Sequence, residues 1–244
     1  VSASDVFRPY RVVAADPSWA FGDHLTMSEV PRGAASNYAV MTTDDVAALP
    51  VGECMAEDAV CVLWRPSSMA EDGARVMRAW GFRPVGEWVW SKRPAPPTPA
   101  EVQAIVTEAM AEGVGAKELA ARISRRIGKL HFGLGRLARA AKEVAAVGVR
   151  GSPYRHLRDR ATRDVFEAPA LAYSVKTEVV QDALERMFPD GPYLELFARR
   201  ARPRWFCAGN ESPATLGQDL RDVVPALARK IARTRAAGAL LGVP

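Results

Sequence analysis

The sequence predicts an α/β fold, and three observations carry that expectation. Short apolar runs alternate with stretches whose apolar residues recur at helical spacing. The composition, 48 % hydrophobic and 25 % charged over 244 residues, is ordinary for a globular chain and argues against disorder or a fibrous repeat. The length suits one large α/β domain, or one domain that carries an insertion.

Tyr10 to Ala15 reads as a buried strand that stops at Asp16-Pro17. A loop with Gly22, Pro31 and Gly33 follows, then a short helix from Thr43 to Leu49. Ala59 to Trp64 is a second strand, Ser67 to Trp80 a helix and Phe82 to Trp90 a third strand, a rhythm that suggests parallel βαβ units. The prolines in Pro94 to Pro99 break regular structure. Two helical patterns come next, Ala100 to Glu112 and Ala116 to Ile127, separated by Gly113-Val114-Gly115; the pair is compatible with a helix-turn-helix or with any helical hairpin. A helix over Leu134 to Glu143, a strand over Ala145 to Val149, a basic loop from Arg150 to Arg163 and a short strand over Asp164 to Glu167 are expected after it. Glu178 to Met187 reads as helix, Tyr193 to Ala198 and Arg204 to Ala208 as strands, and Leu216 to Leu241 as a final helix with a kink or restart at Pro225.

The chain carries 33 Lys and Arg against 28 Asp and Glu, a formal charge of +5. Between Lys117 and Arg163 stand 13 Lys and Arg against Glu118, Glu143 and Asp159, so this segment carries +10 and the remainder −5. Such asymmetry is the footprint of a polyanion partner, although a solvated basic helix face would produce it too. No segment approaches the apolar run that spans a bilayer, and Val1 to Arg8 lacks a basic region followed by an apolar stretch; a soluble, cytoplasmic protein with no membrane partner is expected. Cys54, Cys61 and Cys207 form no CxxC pair, and His24, His131 and His156 are scattered, so neither a disulfide framework nor a metal is expected.

Asp16-Pro17-Ser18-Trp19 lies at the carboxyl end of the first strand, the edge of an open α/β sheet where ligands bind. Methylating the exocyclic amine of a nucleobase requires acceptors that hold its N–H bonds and turn its delocalised lone pair toward a methyl donor. Asp16 offers a carboxylate, the Pro17 region a carbonyl, and Trp19 a flat face for a base taken out of its helix. Alone, the tetrapeptide is equally ordinary turn chemistry with Trp19 in the core. A second cluster follows two late strands: Arg199 after one, whose run includes Phe197, and Asn210 and Glu211 after the other. Their mixture of donors and acceptors suits a hydroxyl-rich or zwitterionic ligand, and Lys176, in Ser174-Val175-Lys176, could hold a ligand carboxylate; solvated surface residues at strand ends are the alternative.

In order along the chain come Asp-Pro-Ser-Trp, Tyr38 with Met41, Leu63-Trp64, Trp80-Gly81-Phe82, Trp90-Ser91-Lys92, Lys142-Glu143, Gly148-Val149-Arg150-Gly151, Ser174-Val175-Lys176, Leu194 to Arg199, and Trp205 to Glu211. The sequence thereby resembles the N6-adenine methyltransferase family that includes the catalytic subunit of the eukaryotic messenger-RNA N6-methyladenosine writer (the MT-A family), in its bacterial or phage DNA-type form. The likeness covers Tyr10 to Glu211 and is interrupted between Pro94 and Lys129. It implies a Rossmann-like, class I S-adenosylmethionine-dependent methyltransferase, permuted so that the catalytic motif precedes the cofactor motif. Residues 1–244 would form one methyltransferase domain, with 94–129 a helical insertion and 212–244 a C-terminal helical extension.

Carried over by position, Asp16, Pro17, Ser18 and Trp19 would form the target-amine site. Lys176 would meet the carboxylate of S-adenosylmethionine, Arg199, Asn210 and Glu211 would bind its ribose and adenine, and the Leu194 to Arg199 strand, with Phe197, would floor the pocket. Gly22 to Tyr38 and Ser152 to Arg163 would cover the target. Ser18 stands where the family usually has proline, which frees φ at that position.

The expected reaction is methyl transfer to the N6 amino group of adenine in a nucleic acid, with DNA favoured over RNA, hence site-specific DNA methylation. Arg125, Arg126, Lys129, Arg136, Arg155 and Arg158 are the expected nucleic-acid contacts. Cytosine N4 methylation and a catalytically silent nucleic-acid-binding subunit are the alternatives, and a homodimer or heterodimer is compatible with either.

Overall fold

The apolar run Tyr10–Ala15 forms strand β1, the middle strand of five in the first of two compact units. The computed structural model describes residues 8–20, 40–128, 130–133, 137–171 and 175–240. The first unit holds the described residues of Val1–Trp88, Val144–Thr162 and Gln181–Pro244; the second holds those of Val89–Glu143 and Arg163–Val180.

In the first unit, β1 is flanked by β2 (Met55–Arg65) and β6 (Tyr193–Leu196), both parallel to it, and β7 (Trp205–Ala208) lies parallel beyond β6. Beyond β2 lies β4 (Lys142–Arg150), running antiparallel from Ala59↔Arg150 to Arg65↔Val144. Val12, Val13, Leu63 and Leu194 are fully buried, as expected of strands covered on both faces, and each contributes about 1.5–3 kcal/mol relative to exposure. The sheet is therefore mixed rather than all parallel.

Helices cover the sheet where the sequence has an apolar stripe. Helix α1 (Thr43–Ala48) starts with a capping box in which Thr42 Oγ1 accepts the Asp45 N–H and Asp45 accepts the Thr42 N–H. Helix α2 (Val51–Cys54) follows, and α3 (Ala70–Ala79) buries Gly73, Val76 and Met77, the spacing of one helical face. The Trp80 indole, just past α3, donates to the Val46 carbonyl at 3.0 Å and joins α1 to α3. Helix α6 (Val179–Met187) carries Asp182 and Glu185, which both pair with Arg202, while Glu185 also accepts the Trp205 indole N–H at 2.7 Å.

The final helix α7 (Leu220–Leu240) begins four residues later than the periodicity suggested. Gly217 takes a φ of 72°, and Asp219 caps the helix by accepting the Arg221 N–H at 2.8 Å. Pro225 sits near the start of the helix; Val224 before it and Leu227, Ala228 and Ile231 beyond it are buried. The Cys54 thiol, pushed up to about 12 by burial and then by the charge of Glu53, lies 3.8 Å from the Val224 carbonyl.

Strand β3 (Arg83–Arg93) begins in the first unit and continues into the second, where Val89–Arg93 pair in parallel with β5 (Val165–Pro169). The second unit also holds α4 (Pro99–Ala111) and α5 (Ala116–Gly128), the expected helical pair. Thr98 and Glu101 form a second capping box, Pro99 opens α4, and Gly113 turns at a φ of 69°. Ion pairs Glu101–Arg126, Glu112–Arg122 and Glu118–Arg125 tie the two helices and stiffen α5.

The helix expected over Leu134 to Glu143 is not formed: among the described residues, 137–141 are irregular and β4 already starts at Lys142. Gly133 and Ala140 exchange backbone hydrogen bonds of 3.0 and 3.2 Å, and Ala141 accepts the Lys92 N–H, so these backbone groups serve cross-strand pairing instead of a helix. No helix among the described residues is long and apolar enough to cross a membrane.

Candidate active site

Three parallel strands of the first unit end in register. Ala15 is paired with Leu196, and Leu196 with Ala208. The residues that follow, Asp16, Phe197 and Gly209, therefore emerge side by side at the carboxyl edge of the sheet, where open α/β sheets place ligands. They line a single cleft with Ser18, Met41, Arg199, Asn210, Glu211 and the start of α7. Its empty volume, including the part open to solvent, is about 770 Å³.

The cleft exists because the chain turns sharply after each strand. Phe197 has a φ of 63°, an uncommon conformation for an aromatic residue, which ends β6 two residues earlier than the apolar run suggested. A Cβ on Gly209 would stand 2.2 Å from the Ala198 carbonyl oxygen, so only glycine allows the two backbones to meet there. Buried Thr215 receives the Gly209 N–H at 2.8 Å and donates its hydroxyl back to the Gly209 carbonyl at 2.8 Å. Buried Ser212 donates to the Cys207 carbonyl, and Asn210 accepts the Gly217 N–H through its own carbonyl. The Asn210–Gln218 loop is thus fixed from beneath while Asn210 and Glu211 remain exposed.

The polar lining combines both signs. Glu211 lies 3.7 Å from the Arg199 guanidinium. Asp219 grips Arg221 at 2.6 Å and also accepts its backbone N–H, and these bonds hold the Asp219 carboxyl below the usual carboxylate range. Behind the lining, buried Glu195 accepts from Gln181 at 3.1 Å and from the Cys207 thiol, and burial raises its carboxyl above the ordinary range.

A family model described as MT-A70 matches residues 10–110 and 121–211. The chain belongs to the MT-A70 family. Similar proteins include an N(6)-adenosine-methyltransferase MT-A70-like protein of Drosophila melanogaster, 27 % identical over 208 residues, covering 84 % of this chain and 27 % of that protein. An N(6)-adenosine-methyltransferase MT-A70-like protein of Arabidopsis thaliana is 27 % identical over 209 residues, covering 85 % of this chain and 24 % of that one. The chain spans about a quarter of the length of these relatives.

In this MT-A70 chain the Asp-Pro-Ser-Trp segment is divided between cleft and core. Asp16 and Ser18 line the cleft, whereas Pro17 is buried and its carbonyl accepts the Trp19 N–H at 3.0 Å. Trp19 is 3 % exposed, and its indole donates to the Trp64 carbonyl at 2.9 Å. The open stacking face expected of Trp19 is therefore absent here: the ring anchors the segment to β2, and Ser18 bonds with Met41 through the backbone at 2.9 Å.

Lys176 lies in the second unit, 3.1 Å from Glu143, which Lys92 also contacts. Burial pushes the Glu143 carboxyl up, but Lys176 and Lys92 together outweigh it and hold the group below the ordinary range. Arg125 and Arg126, also in that unit, pair with Glu118 and Glu101. Arg155 in the first unit pairs with Asp58 at 3.0 Å, and Arg158 lies 3.9 Å from Asp190. Lys129, Arg136, Ser174 and the whole of the loop from Gly22 to Tyr38 fall outside the described residues, while Ser152 to Arg163 is held by Asp58 and by the Arg158 N–H to the Met187 carbonyl. Sequence reasoning missed Gly209, Asp219 and Arg221; the Asp before an amphipathic run was a readable cap signal, but nothing marked it as cleft lining.

Proposed function

We propose that this chain is an S-adenosylmethionine-dependent methyltransferase acting on the N6 amino group of adenine in a nucleic acid, DNA ahead of RNA. The observation that carries the reading is the register of β1, β6 and β7, which gathers Asp16, Phe197, Arg199, Asn210 and Glu211 on one cleft. Membership of the MT-A70 family and relatives named as N6-adenosine methyltransferases support it.

The residues present fit the cofactor. Asn210 and Glu211 offer donors and acceptors to a ribose and an adenine, Phe197 floors the cleft, and the close Gly209–Ala198 backbone contact holds the turns that carry them. When bound, S-adenosylmethionine supplies an electrophilic methyl group. Asp16 accepts one N–H of the target amine, and the Pro17 carbonyl, which keeps a second lone pair beside its bond to Trp19, accepts the other. Held this way, the nitrogen rehybridises and its lone pair turns out of the ring plane. No strong base is needed, because the amine becomes acidic as its new N–C bond forms and sheds its proton to water. Trp19 acts as a positioning residue, fixing the loop that carries Asp16 and Pro17.

The test is calorimetry with S-adenosylmethionine, followed by incubation of the protein and methyl-labelled cofactor with duplex DNA, single-stranded DNA and RNA in separate reactions. Label in N6-methyladenine from one polymer is expected. Label in N4-methylcytosine would correct the base, and no cofactor binding with no label would overturn the reading in favour of a silent binding subunit.

A further inference from the structure

Among residues 130–133 and 137–142, large apolar side chains are left in water. Phe132 is 72 % exposed and Leu137 is completely so, and Met110, Ile127 and Leu130 of the same unit are also exposed. Single apolar residues on a surface need no explanation, but Phe132 sits between hydrogen-bonded neighbours, His131 and Gly133. Their backbone is not loose. The His131 N–H donates to the Lys92 carbonyl at 3.0 Å, Gly133 and Ala140 are bonded in both directions, and the Lys92 N–H donates to Ala141 at 2.8 Å. A Cβ on Gly133 would stand 2.5 Å from the Ala140 carbonyl oxygen, so glycine is needed to close this bridge. The exposed phenyl ring is thus held on a ribbon rooted on Lys92.

Arg139 lies over that ring, its guanidinium carbon 4.7 Å from the centroid. One face of Phe132 is capped by a cation while the side chain as a whole remains mostly in water. A planar ring backed by a planar cation is a platform on which a further π-face can stack, with phosphates drawn to the surrounding charge. The stretch of the same unit that holds it, Val89–Glu143, has 10 Lys and Arg against 5 Glu, a net +5.

We infer that Phe132 and Arg139 form a stacking site for an unpaired base of a single-stranded nucleic-acid segment. The inference rests on the nucleic-acid reading above and deepens it by assigning a second contact apart from the Asp16 cleft. A second copy of this chain is the less suitable occupant, because two surfaces of the same positive sign repel. Stacking tolerates any base, so this site contributes affinity for unpaired strand rather than sequence choice.

The experiment measures binding of a fluorescent single-stranded oligonucleotide by the full chain, across a salt series, alongside methyl transfer and the oligomeric state by light scattering. Phe132→Ala is expected to weaken binding about tenfold, with cofactor affinity unchanged, while Phe132→Trp binds at least as well as wild type. Arg139→Gln should weaken binding and reduce the salt slope by about one phosphate contact. Active wild-type protein whose Phe132→Ala variant binds the strand equally well overturns this inference and leaves the proposed function standing. A variant that instead shifts from dimer to monomer with unchanged strand affinity overturns it in favour of a protein contact. Wild-type protein that binds no strand and methylates no polymer removes the nucleic-acid reading and this site with it.

Discussion

Gly209 and Ala198 meet backbone to backbone, so closely that a Cβ on Gly209 would overlap the Ala198 carbonyl oxygen. The contact joins the turns after β6 and β7, whose residues Phe197, Arg199, Asn210 and Glu211 line the cleft. Gly209→Ala should push these turns apart. The expected result is a loss of S-adenosylmethionine affinity of more than tenfold by calorimetry, with lower thermal stability; wild-type affinity would detach the cofactor site from this packing.

Thr215 completes both backbone hydrogen bonds of Gly209 with one hydroxyl. Thr215→Val keeps the shape but leaves a buried N–H and a buried carbonyl without that partner, a cost of about 2 kcal/mol. Urea unfolding should show the loss, and cofactor affinity should fall with it. Unchanged stability would mean that the Asn210–Gln218 loop is held elsewhere.

Glu143 supplies a pH dependence whose sign is fixed by its partners. Burial opposes its charge, yet Lys176 and Lys92 depress its folded pKa below the unfolded value. Its contribution is therefore complete above the unfolded carboxylate pKa of about 4.3 and is lost as pH falls through the lower, folded value. Glu143→Gln should cost about 2 kcal/mol at pH 7, since it leaves two largely buried ammonium groups facing a neutral amide. The difference from wild type should shrink in strong acid. A difference that does not change with pH would show that the pair acts only by packing.

Much of the fold was readable because the relevant signals are local. The apolar run of β1, the stripe of Gly73, Val76 and Met77 on α3, and the Thr98–Glu101 box each declare themselves within a few residues. What failed depended on partners far away in the chain. Leu134 to Glu143 is rich in helix formers, but its end is claimed by other partners: Ala140 bonds with Gly133, Ala141 accepts the Lys92 N–H, and Lys142 opens β4. The polarity of β4 could not be read from its own residues for the same reason. The order of motifs singled out Asp16, Asn210 and Glu211, which line one cleft, whereas the need for glycine at Gly209 arises only when Ala198 is beside it. Trp19 is the instructive case: its neighbours advertise chemistry, but burial and the Trp64 carbonyl assign it to the core.

The central claim is that Asp16 holds the target amine rather than the cofactor, and Asp16→Asn tests it most directly when binding and transfer are measured on the same sample. Nucleoside mass analysis of the methylated polymer should show N6-methyladenine with wild type and a loss of more than a hundredfold with the variant, about 2.7 kcal/mol of transition-state stabilisation, while calorimetric affinity for S-adenosylmethionine stays within threefold. Transfer by the variant at the wild-type rate would contradict the account.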